Sequence, residues 1–166
     1  MLMELVSKLD YKNSIGLILR TADKSLERAL DSEIKERCRL SASQWKVILV
    51  LSIRDGISQR ELADLISVEG PTLVPVIDKM ENDGFLVRKS DPSDRRSNKI
   101  FLTTKSTNLI EGIVKTILDF RAMMTKGITK SDIDLAKSVL QKMTLNTEKF
   151  MESKGQKILP TLLKDK

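Results

Sequence analysis

Histidine is absent from all 166 residues, and cysteine occurs once, as Cys38. Without histidine the chain lacks the usual general base, the usual charge switch near neutral pH and the commonest transition-metal ligand. One thiol cannot close an intrachain disulfide, and a lone cysteine reads first as an inert side chain. Apolar stretches are short, and none approaches the ~18 residues of a membrane span. The first ten residues mix charged and apolar side chains, unlike the continuous apolar core of a secretion signal. Neither a P-loop nor a G-x-G-x-x-G run is present. These absences argue against an enzyme, a metal site or a bound cofactor, and they lead to the expectation of a cytoplasmic protein.

What is present fits one globular domain. Hydrophobic residues make up 40% and charged residues 31%, an ordinary balance for a chain with a sizeable core. The net charge is +6 and the isoelectric point is about 9.4. A basic balance favours anionic partners, nucleic acid above all, provided the charge is gathered in one place.

Apolar spacing predicts a helix over 14–34, with Ile15, Ile18, Leu19, Ala22, Leu26 and Leu30 at three- and four-residue steps. Ser43 is the expected cap of a second helix reaching Ile53, with Trp45, Ile48 and Leu49 on one side. Ser58-Gln59-Arg60-Glu61 is the clearest cap in the sequence. Ser58 can accept from the Glu61 amide, the Glu61 carboxylate can reach back, and Ile57 and Leu62 supply the hydrophobic staple. That short helix covers 58–66. Gly70-Pro71 opens the next, over 70–83, with Leu73, Ile77 and Met80 inward and Gly84 suited to a left-handed end. Two strands, 85–89 and 99–103, then flank a polar loop containing Pro92 and make a hairpin. Thr103 or Thr104 is expected to cap a long helix to about Lys126. Thr129 to Asp132 caps a last one carrying Leu135, Val139, Leu140 and Met143. The segment 153–166 reads as a mobile tail.

A short capped helix, a tight link and a second helix form a helix-turn-helix, and a hairpin directly after it makes the winged version. The second helix would enter the major groove, where base edges are distinguishable. Between Phe85 and Lys105 stand Arg88, Lys89, Arg95, Arg96, Lys99 and Lys105, opposed only by Asp91 and Asp94. This segment therefore holds +4 of the chain's +6, the concentration that a phosphate-binding surface requires. A solvated hairpin with no partner is the blander alternative. The long flanking helices, 1–42 with 104–152, are not needed for groove reading. Their apolar stripes fit a pairing surface between two subunits, or else the cover of a monomer's core. The expected architecture is mainly α with a small β-hairpin, about six helices, and a winged helix-turn-helix lobe over 43–103.

Asp91-Pro92-Ser93-Asp94-Arg95-Arg96, followed by Lys99 and Leu102-Thr103, resembles the wing signature of the MarR family of regulators. Pro71-Thr72-Leu73-Val74, Ile77-Asp78-Lys79-Met80-Glu81 and Gly84-Phe85-Leu86 are similar to that family's recognition helix and its exit, closest to the SlyA branch. The likeness covers about residues 11–150. It implies a homodimer joined through its first and last helices and bound to a pseudo-palindromic operator on double-stranded DNA, usually as a repressor. It implies an Arg96 side chain in the minor groove, oriented by Asp94. It also implies release by a small aromatic or phenolic ligand held between the dimerisation helices and the DNA-binding lobe, where Trp45 would form a wall. Family members with oxidant-sensing cysteines carry them on the first helix, whereas Cys38 follows most of that helix.

One position departs from the pattern. Where the SlyA branch has a base-contacting arginine, this chain has Pro75, which lacks an N–H and costs about 3 kcal/mol in a helix interior. A distorted first turn is expected. Base readout then falls to Ser67, Glu69, Thr72 and Lys79 on the helix side, with Arg88, Lys89, Asp94, Arg95, Arg96 and Lys99 gripping from the wing. A second reading stays open: a winged-helix protein with weak sequence specificity, working as an architectural or protein-interaction module.

Overall fold

A computed structural model describes residues 10–91, 98–156 and 158. Six α-helices lie among them: α1 (Ile15–Cys38), α2 (Ala42–Ile53), α3 (Gln59–Leu65), α4 (Gly70–Asn82), α5 (Thr107–Met124) and α6 (Lys130–Ser153). Three short strands accompany them: β1 (Ile57–Ser58), β2 (Leu86–Ser90) and β3 (Asn98–Leu102). The strands form one antiparallel sheet in the order β1-β3-β2. The expected mainly α, winged helix-turn-helix architecture is what the chain adopts. The expected tail falls mostly outside the described residues.

Several boundaries follow from caps. Ser14 starts α1, its Oγ accepting from the Leu17 amide. α1 then runs four residues beyond the expected end, to Cys38, and stops where Arg39 turns left-handed at φ 58°. The cap of α2 is Ser41 and not Ser43. Ser41 Oγ accepts from the Gln44 amide while Gln44 Oε1 accepts from the Ser41 amide. The Ser-x-x-Gln spacing thus closes a reciprocal box two residues earlier. α2 is also buried on more than one side. Trp45, Val47, Ile48, Val50 and Leu51 are all core, because α1, α4 and α5 pack around it.

Ser58 caps α3 as expected, its Oγ accepting from the Glu61 amide at 3.1 Å. The Glu61 carboxylate does not complete the box; it pairs with Arg54 at 2.9 Å. Ile57 and Ser58 also pair with Ile100 and Lys99, adding a third strand to the expected hairpin. Before α5, neither Thr103 nor Thr104 caps. A single 3-10 turn, Thr104–Ser106, intervenes. Thr103 Oγ1 donates instead to the Gly84 carbonyl at 2.7 Å, and Ser106 Oγ to the Phe85 carbonyl at 2.6 Å. These two bonds fasten the end of the wing to the exit of α4. Thr129 caps α6 through the Asp132 amide, as the sequence indicates.

The core sits within the winged lobe. Ile48, Leu51, Leu62, Leu73, Ile77, Met80 and Ile100 are almost fully buried. Ile34 from α1 and Ile113 from α5 are sealed into the same cluster. α1 meets α5 through Arg37, which reaches Asp119 at 2.7 Å and Glu33 at 3.0 Å. Outside this packing much of α1 and most of α6 are open. Ile34 is the one buried residue of α1, and α6 has none along 24 residues. Ile15, Ile18, Leu135, Val139, Leu145 and Phe150 lie open. Among the described residues no helix is long and apolar enough to cross a membrane.

Candidate nucleic-acid interface

The site starts with the turn between α3 and α4. Ile66 ends α3, and Ser67 takes a left-handed φ of 56°. The Ser67 amide donates to the Asp64 carbonyl and the Val68 amide to the Ala63 carbonyl. This paired bonding closes the helix by a Schellman turn with serine at the position glycine usually occupies. Ser67 is exposed. Glu69 is the N-cap of α4 with no side-chain capping bond, so its carboxylate also stands at the surface.

α4 buries Leu73, Ile77 and Met80 against α2 and β2. Its outer face presents Pro71, Thr72, Val74, Pro75, Asp78 and Lys79 to solvent. The helix is uninterrupted through Pro75. The first turn carries a 3-10-type bond, from the Thr72 amide to the Glu69 carbonyl at 3.0 Å, beside the helical bond from Leu73 at 3.3 Å. Because Pro75 faces water, the carbonyl of Pro71 that loses its helical donor is not sealed in the core, and the helix tolerates the substitution.

Gly84 ends α4 at φ 75°, with the Phe85 amide reaching the Met80 carbonyl at 2.9 Å. The chain turns directly into β2. In the hairpin Leu86 opposes Leu102, Arg88 opposes Ile100, and Lys89 opposes Lys99. The two adjacent lysines are held apart by different partners. Lys89 Nζ lies 4.7 Å from the centre of the Phe101 ring, a cation–π contact. Lys99 Nζ lies 3.5 Å from Asp91 Oδ2.

Arg88 is held between two carboxylates of α4. Its Nη2 donates to Asp78 Oδ1 at 2.6 Å and its Nη1 to Glu81 Oε2 at 2.5 Å. Its amide donates to the other Glu81 oxygen at 2.9 Å. Burial works against its charge, but the bonds to Asp78 and Glu81 outweigh it and hold the guanidinium above its ordinary pKa. Asp78 and Glu81, three residues apart, share one face of the helix and so can take one guanidinium between them. Lys105 is also anchored, donating to the Asp83 carbonyl at 2.7 Å with its ammonium 4.9 Å from the centre of the Phe85 ring.

Asp94, Arg95 and Arg96 lie outside the described residues. Ser90 and Asn98, the last paired residues, bring the ends of their loop together at the tip of the sheet. The structure therefore gathers Ser67, Glu69, Thr72 and Lys79 on the α3–α4 side, and Lys89 and Lys99 on the hairpin that leads to that loop.

Trp45 belongs to the packing of α2 against α1. The ring is core, and its Nε1 donates to Asp31 Oδ1 on α1 at 2.8 Å. Two open clefts lie nearby. One, of about 740 Å³, runs along α1 to the start of α2 and is lined by Arg28, Asp31, Lys35 and Arg39. The other, of about 480 Å³, lies where α1 and α2 meet the α3–α4 turn and is lined by Asp23, Glu27, Lys46, Leu49 and Ser67. Trp45 lines neither. Cys38 is half-buried, with Sγ 3.8 Å from Thr116 Oγ1 on α5. Among the described residues no cluster of three or more acidic or cysteine side chains is placed to hold a metal.

Comparison with known proteins agrees with this arrangement. Residues 40–97 match the family model described as the MarR family. The crystal structure of the transcriptional regulator PA3341 is 34% identical, with 82% of this chain and 99% of that one aligned at a TM-score of 0.74. The transcriptional repressor CouR, solved on a 23-mer DNA duplex, shares the fold at 24% identity, 82% and 96% coverage and a TM-score of 0.70. CouR from Rhodococcus jostii RHA1 bound to p-coumaroyl-CoA shares it at 18% identity, 80% and 92% coverage and a TM-score of 0.66. The matched span runs from the start of α2 through the recognition helix into the wing, and the chain belongs to the MarR family of transcriptional regulators.

Proposed function

We propose that this protein is a homodimeric repressor that holds double-stranded DNA with α4 in the major groove and the wing over the neighbouring minor groove. One observation carries the reading. The solvent-facing side of α4 runs straight into a hairpin segment with four of the chain's six net positive charges. A helix presented outward beside a concentrated cation source is what groove binding requires. The DNA-bound form of the similarly folded CouR supports it. The wide apolar exposure on α1 and α6 supports pairing of two subunits, which would present two copies of α4 to a pseudo-palindromic operator.

Within this reading Arg96 enters the minor groove with Asp94 steering it, and Arg95, Lys89 and Lys99 meet phosphates. Arg88 holds the recognition helix in place and does not reach out to DNA. The cleft between α1, α2 and the α3–α4 turn is the site at which a small aromatic ligand would act, because it touches the pairing helix α1 and the residues that set the entry of α4. The ligand-bound CouR structure supports a ligand of that kind.

The test is selection of bound duplexes from random DNA, followed by affinity measurement across a salt series. A few palindromic sites should emerge, and log affinity should fall linearly and steeply with log salt concentration. Pro75 favours a second reading, an architectural or protein-interaction module, because it removes the long donor expected there. Equal affinity for all duplexes at physiological salt would establish that second reading and sink the first.

A further inference from the structure

The outer face of α4 is unusual for a helix that reads bases. Leu73, Ile77 and Met80 point into the core. At about 100° per residue, Pro71 and Pro75 therefore point almost directly away from it, one turn apart, flanked by Val74 and Thr72. Val74 is 41% exposed although it has no polar atom in its side chain. From Gly70 to Val76 only Thr72 has a side chain able to form a hydrogen bond. Neither proline has an N–H to offer. The next polar residue of that face, Asp78, is already held by Arg88.

These residues form the N-terminal half of the helix, the part that meets base edges when a recognition helix lies in the major groove. Reading guanine there takes two donors aimed at N7 and O6, and reading adenine takes a donor and an acceptor together. This face has one hydroxyl. What it offers in quantity is apolar surface, and one major-groove feature matches apolar surface: the 5-methyl group of thymine.

We infer that the recognition helix selects thymine by contact of its 5-methyl group with Val74 and Pro75, with Thr72 as the only hydrogen-bonding reader in the first two turns. The inference rests on the proposed DNA-binding role and adds the base it selects. The basic hairpin beside α4 supplies the charge complementarity that makes duplex DNA the occupant of this face. The half-site opposite the helix start is thus A·T-rich, with thymines placed to meet the two apolar side chains. Guanine is not specified there.

The experiment takes the best duplex selected by the full-length protein and replaces each half-site thymine by deoxyuridine, which keeps every hydrogen-bonding group and removes only the methyl. Each contacted methyl should weaken binding by about fourfold, the effect of losing one buried carbon. In Val74→Ser and Pro75→Ser, both outward-facing changes, the penalty at the corresponding thymine should shrink below about twofold, with helical circular dichroism unchanged. Tight duplex binding that deoxyuridine leaves unaltered in the unmodified protein would overturn the methyl reading while leaving the DNA-binding role intact. A penalty that persists in full in both variants would overturn the assignment to these residues. Failure to bind any duplex at low salt would overturn the DNA-binding role and this inference with it.

Discussion

Arg88, at the base of the wing, holds Asp78 of the recognition helix at 2.6 Å. The guanidinium side chain is only 21% exposed, and it also grips Glu81. A cation that sequence reasoning assigns to DNA is thus committed to fixing the angle between α4 and β2. It also neutralises carboxylates on the helix that has to approach phosphate. Arg88→Ala would leave the exposed Asp78 and the half-buried Glu81 without their shared partner. Loss of about 1–3 kcal/mol of stability is expected, measured by urea unfolding. Arg88→Lys should recover only part of it, because an ammonium cannot span both acids as a planar fork does. Full stability in Arg88→Ala would show that the clamp is surface decoration.

Gly56 is the second structural pivot. It follows α2 with φ +73°, and a Cβ there would lie 2.5 Å from Phe101 Cε1 and 2.9 Å from Cζ. Its amide also donates to the Ile100 carbonyl. Gly56→Ala combines left-handed strain with a clash in a packed place, and about 2–4 kcal/mol of destabilisation is expected. Phe101→Leu removes the ring edge. In that background the same glycine substitution should cost about half as much, as a double-mutant cycle in urea would report.

Ser67 gives a prediction of opposite sign. Both α3 and α4 end in Schellman turns, but α4 has Gly84 at the left-handed position and α3 has Ser67. Ser67→Gly removes strain of about 1–2 kcal/mol and adds roughly 0.5–1 kcal/mol of unfolded-state entropy. A net gain of about 0.5 kcal/mol is expected in thermal or urea unfolding. If Ser67 also meets DNA, the same variant should bind the selected operator more weakly despite its greater stability. Equal affinity would remove Ser67 from the contact set.

Comparing these two turns shows what the sequence reveals and what it hides. Gly84 was legible because glycine marks a left-handed residue, whereas Ser67 carries no such mark and its strain is visible only in the fold. The Ser58 cap was legible because its partner stands three residues away. Its missing reciprocal bond was not, since Arg54 competes for Glu61 from across the turn. The α2 cap was misplaced by two residues because Ser41 and Ser43 both suit the role, and the choice depends on the Gln44 side chain. β1 is two residues long, too short for any alternation, and exists only because β3 is there to pair with it. On the interface, the outward residues of α4 followed from helical spacing. The private partners of Arg88 and Lys99 did not, because α4 had to be placed beside β2, and Asp91 beside Lys99, before those pairs existed.

Arg96 tests the wing. A guanidinium in a narrow minor groove meets concentrated negative potential. Arg96→Ala should therefore weaken operator binding by roughly tenfold to a hundredfold and lower the salt slope by about one. The dimer and the unfolding midpoint should not move, since four of the five backbone pairs of β2 with β3 lie inward from the outermost, Ser90 with Asn98. Unchanged affinity at fixed salt would rule out the wing as a groove contact. A loss shared equally by Arg96→Lys would point to the shape of the side chain, and a loss confined to Arg96→Ala would point to charge alone.

The final prediction concerns α6, which has 24 residues and no buried side chain within one protomer. Leu135, Val139 and Leu140 stand exposed on it at four- and five-residue spacing, and Ile15 and Ile18 stand exposed on α1. An isolated helix of this length gains little from backbone hydrogen bonds alone, and most helical stability in proteins comes from packing an apolar face. If two protomers pair through these helices, α6 should be helical in the dimer and fray on dissociation. The signal is a helical circular dichroism that falls with dilution in step with the change in mass by sedimentation equilibrium. Leu135→Glu with Val139→Glu should place charge on both partners at once and shift the equilibrium to monomer by roughly a hundredfold or more. Operator affinity would fall with it, because a monomer offers one α4 and not two. A monodisperse, fully helical monomer for the unmodified chain at every concentration would refute the pairing and leave α6 without a reason to be helical.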